Sequence, residues 1–235
     1  MKVIRPICRN QLKSEDADFI VSVLSPNENE ARFLADLLTD PDARDLILDD
    51  AKLVTALQDR SECLRISSRM YFYVLVRHLF QLRRIADREV ADYVAALLAE
   101  FSTAARVVHP LPRNTFSSEY LTDLLAAMSS SNDESHFFIR THIGNYALFL
   151  TGLYRERIRY RTDRRGAPGL DFYEHIGQTS FETASRSRLA GEFELAPVFD
   201  KLGCWFHQIR VALNDLADRY LFIGECEPRL LAAGL

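Results

Sequence analysis

From Val90 to Phe101 the apolar side chains Val90, Tyr93, Val94, Leu97, Leu98 and Phe101 stand 0, 3, 4, 7, 8 and 11 residues from the first. A helix of 3.6 residues per turn gathers such a series onto one face, and an extended strand scatters it over two. The period returns near the C-terminus, where Phe199, Leu202, Phe206, Ile209, Leu213, Leu216 and Tyr220 alternate steps of 3 and 4 in an a/d seam. Between these stretches, every residue from Met70 to Val76 is apolar or aromatic, and Leu79, Phe80 and Leu82 continue the pattern. A helix apolar all round is a central one, so Ser68 to about Arg84 is predicted as buried.

Capping residues punctuate these runs. Ser25-Pro26-Asn27-Glu28 reads as a capping box with Pro at the first helical position, opening a helix to about Leu38. Asp40-Pro41 repeats the device to about Leu48, Asp50 opens another short helix, and Asp87 caps the Val90–Phe101 helix. Ser131-Asn132-Asp133-Glu134 opens the longest element, running toward Arg159, with Arg155 to Gly169 read as a basic loop. Gly144 and Gly152 lie inside that helix near one face, which predicts close helix packing or a ligand against the backbone. Another helix is expected from about Leu170 to Arg186, then a turn at Gly191. With only nine Gly and eight Pro in 235 residues, the many tight turns of a β-sandwich have little room. The expected fold class is all-α, an irregular multi-helix bundle of about nine helices in a single domain over residues 1–235. Residues 1–62 would be an acidic short-helix subassembly and 63–235 the main bundle.

The net charge of −4 argues against a general nucleic-acid coat protein. Its distribution is uneven: residues 14–62 hold thirteen acids and four bases, and residues 140–165 hold seven Arg and two acids. The four cysteines form no CxxC pair and are expected to be reduced thiols. Met1 to Pro6 has no apolar stretch of the kind a signal peptide needs, and the charge-free run from Thr141 to Tyr154 falls short of the roughly 20 residues that span a bilayer. A cytoplasmic protein with no membrane segment is expected.

Several chemistries lack their residues. No Glu precedes a His by three positions, so the di-iron carboxylate pattern is absent. HExxH, GxxxxGK[ST], GxGxxG and GxSxG do not occur. No metal and no cofactor are expected, no catalytic residue is assigned, and the balance leans away from an enzyme.

Four groups of residues stand out. Arg77 sits in the apolar helix and must be ion-paired or line a cavity, because an uncompensated buried charge costs several kcal/mol. Arg140, His142 and Asn145 form polar ladders on the long helix, and with Arg77 and Tyr173 they form the candidate small-ligand or enzymatic pocket. The alternative for them is a satisfied polar seam between helices. Arg157, Arg159, Arg161, Arg164 and Arg165 interleave with Tyr154, Ile158 and Tyr160. Such a run can hold phosphates and stack bases, or can be a solvated or protein-contacting loop. Asp171 and His175, four residues apart, could form an oriented general base or a solvated pair.

Met70-Tyr-Phe-Tyr-Val-Leu-Val-Arg77, Ala91-Asp-Tyr-Val-Ala-Ala-Leu-Leu98, Gly144-Asn-Tyr-Ala-Leu-Phe-Leu-Thr-Gly-Leu153 and Leu170-Asp-Phe-Tyr-Glu-His-Ile-Gly177 together resemble a family of uncharacterised bacterial helical proteins over roughly residues 64–186. The resemblance implies a bacterial cytosolic setting and an all-α fold, and it supplies no catalytic residue. The leading functional expectation is a non-enzymatic helical adaptor or regulatory protein that binds another protein. Nucleic-acid contact through the Arg155–Arg165 loop is an alternative. The 199–220 seam either packs within the chain's own bundle or forms a homodimer.

Overall fold

The computed structural model describes residues 3–58, 66–107, 121, 123–126 and 133–221. Ser131 and Asn132 of the expected helix start lie outside the described residues. The fold is all-α. Among the described residues it has the helices α1 (Ser14–Leu24), α2 (Glu28–Leu37), α3 (Pro41–Ile47), α4 (Ala51–Gln58), α5 (Ser68–Leu82) and α6 (Arg88–Val107). These are followed by α7 (Asp133–Leu153), α8 (Arg155–Arg165), α9 (Leu170–Ser185), α10 (Arg188–Glu192), α11 (Ala196–Cys204) and α12 (Phe206–Leu216), then a π-helical turn, Ala217–Leu221. No helix among the described residues is long and apolar enough to cross a membrane.

Local chemistry sets most boundaries. Asp40 Oδ1 accepts from the Ala43 amide at 2.8 Å, Asp87 Oδ1 from Val90 at 2.9 Å and Ser67 Oγ from Met70 at 3.2 Å. At α2 the cap is Asn27 rather than Ser25: Asn27 Oδ1 accepts from Glu30 at 3.0 Å, two residues later than the capping box predicted. α1 is an element the sequence reading passed over, because its caps are side chains from elsewhere as well as its own. Asp16 is fully buried and takes the Lys13 amide at 3.0 Å together with the Ser67 amide and hydroxyl, both at 2.7 Å.

The chain divides into two compact units, residues 5–100 and residues 1–4 with 101–235, so the boundary between them falls inside α6. The acidic helices belong with α5 and the start of α6 because buried polar groups bind them there, as described below.

In the second unit α9 lies against α7 and α11, and α12 lies against α7. Close backbone approach makes this possible. A Cβ on Gly152 would stand 2.7 Å from Leu213 Cβ, and one on Gly177 would stand 2.4 Å from the Phe206 ring. Phe181 is central, with ring centroids 5.7 Å from Phe199 and 6.2 Å from Phe206. The a/d seam is used up here: Phe199, Leu202, Phe206, Ile209 and Leu216 are 0 % exposed. These side chains are covered by the chain's own helices, as in the first of the two alternatives for the 199–220 seam. The single long helix expected there is also broken, at Trp205, into α11 and α12.

The expected basic loop is a helix. α7 stops at Leu153, Tyr154 leaves helical geometry (φ −122°, ψ 35°), and α8 runs to Arg165 before Gly166 closes it in the left-handed region (φ 61°). The break strands the carbonyls of Thr151 and Gly152, and the Asn214 side-chain amide donates to both, at 2.8 and 2.7 Å. Arg164 and Arg165 lie in the last turn of α8, where cations suit the negative end of the helix dipole.

Candidate functional site

Arg77 is 6 % exposed and is an ion-pair partner. Its Nε donates to Asp49 Oδ1 at 2.8 Å and its Nη2 to Asp49 Oδ2 at 3.1 Å, a fork-to-carboxylate arrangement. Its Nη1 donates to the Ala86 carbonyl at 2.9 Å, closing the turn after α5. Arg88 Nη2 reaches the same Asp49 at 2.6 Å. Burial opposes ionisation of Asp49, but the hydrogen bonds and charges of Arg77 and Arg88 outweigh it and hold the carboxyl below its ordinary value.

A second buried cluster adjoins it in the sequence of elements. Asp92 on α6 is 0 % exposed and accepts the Cys8 amide at 2.7 Å, the Arg9 amide at 3.3 Å and Arg9 Nε at 3.1 Å. Burial pushes the Asp92 carboxyl up, and these donors work against the rise. Arg9 also reaches Asp45 at 2.6 Å and contacts Glu89. The fully enclosed Tyr73 hydroxyl stands in the field of Arg9, Asp45, Asp92 and Asp49, and burial keeps it protonated. These groups tie the N-terminal segment, α3, α5 and α6 together. Their charges answer one another, so the arrangement is structural cross-bracing.

The candidate pocket residues are distributed. Arg77 belongs to the unit of residues 5–100, where Asp49 takes up its fork. His142 stacks with Phe101 (6.2 Å between centroids) and Tyr146 (6.4 Å), and burial holds its imidazole below the ordinary value. Asn145 is buried on α7. Tyr173 lines a crevice of about 10 Å³ with Arg157 and Arg161, room for no more than about one water. Arg140 lines a different and larger cleft. Arg140 and Tyr173 therefore line two different cavities.

That larger cleft has a volume of about 390 Å³ and is formed by the first turns of α7, the end of α9 and α10. Among the described residues its cations are Arg140, Arg186 and Arg188, with His136 beside them and Glu134 as the one acid. Arg188 contacts Glu192, whereas among the described residues Arg140 and Arg186 make no ion pair. Sequence reasoning had Arg140 but not its companions, because Arg186 and Arg188 are remote in the chain and read as ordinary surface residues.

On α8 the five expected cations divide. Arg159 pairs with Glu156 at 2.9 Å, as Arg155 does with Asp218 at 2.8 Å. Arg157 and Arg161 line the small crevice. Arg164 and Arg165 are exposed, and among the described residues neither has a carboxylate partner. The Arg164 guanidinium lies 6.0 Å from the Tyr160 ring centroid, and Tyr160 is itself 45 % exposed. The next helix in the chain, α9, exposes Phe172 (43 %) in its first turn.

His175 and Asp171 are both exposed, and the oriented histidine lies elsewhere. His207 Nδ1 stands 2.8 Å from Glu174 Oε1, while Arg210 Nε donates to Glu174 Oε2 at 2.8 Å. No sequence signal links Glu174 to His207, which lie 33 residues apart on different helices. Arg210 already answers the Glu174 charge, so the pair is a surface tie between α9 and α12. Among the described residues no group of three or more His, Cys, Asp or Glu is placed to hold a metal ion. Comparison of the chain with protein-family models, with curated proteins and with solved structures finds no match in any of the three.

Proposed function

We propose that this chain is a non-enzymatic helical adaptor or regulatory protein, and that the exposed cationic face of α8 contacts an acidic surface on a partner protein. The carrying observation is the combination on one short helix of Arg164, Arg165 and Tyr160. All three are exposed, and the two guanidiniums are without carboxylate partners among the described residues. Arg and Tyr are the residue types that concentrate binding energy at protein interfaces. Arg also keeps its charge where a partner excludes water. The pairing of Arg155 and Arg159 with acids of the same chain favours a protein over a nucleic acid, since it leaves few free cations along a backbone-tracking groove. The resemblance to bacterial helical proteins supports a bacterial cytosolic setting for that partner.

Affinity purification at low salt from the native host, comparing the wild type with Arg164→Glu/Arg165→Glu, tests this. One stoichiometric acidic protein, retained after nuclease treatment and lost with the double variant, is expected. Equal recovery by both proteins, or no partner, removes the proposal. A partner lost on nuclease treatment moves the assignment to nucleic acid.

A further inference from the structure

We infer that the cleft between α7, α9 and α10 binds a small phosphate monoester carried on a hydroxyl-bearing body, of the size of a sugar phosphate or mononucleotide. Arg140 on α7 and Arg186 at the C-terminal cap of α9 line it, neither in an ion pair among the described residues, and Arg188, which also contacts Glu192, adds a third guanidinium. Cations drawn into one concave site repel each other, and a dianion placed among them reverses the sign of that interaction. A phosphate monoester has three equivalent oxygens, so it takes two guanidinium forks at once, where a single carboxylate satisfies one. His136 in the same wall adds a ring nitrogen that can donate to a phosphate oxygen.

The rest of the lining argues for an organic body and not for bare phosphate. Glu134 repels an anion but accepts hydrogen bonds from hydroxyls, and Phe137 gives an apolar wall. A volume of about 390 Å³ matches the lower range of small-molecule sites, roughly 300–1,000 Å³, and exceeds what inorganic phosphate fills. This site is independent of the α8 face.

Titration calorimetry of the whole chain at low salt, with AMP and glucose 6-phosphate as probes and adenosine and citrate as controls, decides the matter. At least one of the two phosphates is expected to bind, with adenosine and citrate weaker by about tenfold or more. Arg140→Gln and Arg186→Gln should each weaken binding by about tenfold, and Arg164→Gln/Arg165→Gln should leave it unchanged. Arg186 is exposed, so its variant folds regardless of how Arg140→Gln behaves and decides alone if that variant is unstable. Absence of binding by both phosphates at about millimolar concentration overturns the inference. So does citrate or adenosine binding as tightly, or wild-type affinity in Arg186→Gln.

Discussion

In the unit of residues 5–100 the buried charges are matched to one another, Arg77 with Asp49 and Arg9 with Asp92, Asp45 and Glu89. In the unit that contains residues 101–235 the notable cations are left open: Arg164 and Arg165 on α8, and Arg140 and Arg186 at the cleft. The contrast separates two uses of the same residue type. A guanidinium whose donors are all spent on its own chain fixes helices, whereas one presented in a concave or exposed place has donors to give. Binding is therefore sought in the second unit although the most deeply buried arginine of the sequence reading lies in the first.

The comparison breaks most sharply at Arg77. Arg77→Ala should cost about 3–5 kcal/mol in chemical denaturation, because it strips the largely buried Asp49 of its fork, leaving it Arg88 alone, and frees the Ala86 carbonyl. A loss below about 0.5 kcal/mol would mean that the bracing carries no weight, and the contrast between units would fall with it. Next come the helix contacts of the second unit. Gly152→Ala should destabilise by about 1–2 kcal/mol, the clash with Leu213 Cβ outweighing the gain in helix propensity. Neutral behaviour would show that α7 and α12 can separate without loss.

His142 gives a smaller effect with a defined sign. Burial lowers its pKa in the fold from the ordinary 6.5, so below that pH the unfolded chain takes up a proton that the folded chain resists. Stability should be fully present above pH 6.5 and be lost as pH falls from there toward the folded value. His142→Gln should flatten that slope in urea midpoints measured across the interval. His78, also lowered by burial, contributes a remainder that His78→Gln removes. An unchanged slope in His142→Gln would place the imidazole in water. Smallest of all, Arg164→Glu/Arg165→Glu should lower stability by only about 1 kcal/mol, through the charge reversal at the end of the α8 dipole, while abolishing partner capture. A loss of about 3 kcal/mol or more would show that these cations brace the fold as Arg77 does.

Much of this was legible along the chain, for a physical reason that can be traced residue by residue. The Val90–Phe101 period, the all-apolar Met70–Val76 run and the caps at Asp40 and Asp87 are local signals, and each produced the helix it predicted. The burial of Arg77 followed from its apolar neighbours, and the close approach at Gly152 from the absence of a side chain where one is inexpensive to have. Where local signals competed, the reading slipped. Asn27 won the cap from Ser25, and Tyr154 ended α7 because Asn214, sixty-odd residues away, receives the carbonyls freed there.

The pattern of apolar spacing and capping residues by itself determined that the chain is helical and which faces are buried, since both depend on interactions within a few residues. It could not decide which acid answers Arg77, which helices enclose the seam of α11 and α12, or that Arg140 would meet Arg186 at one cleft. Those outcomes depend on contacts between residues far apart in the chain, which exist only once the helices have packed.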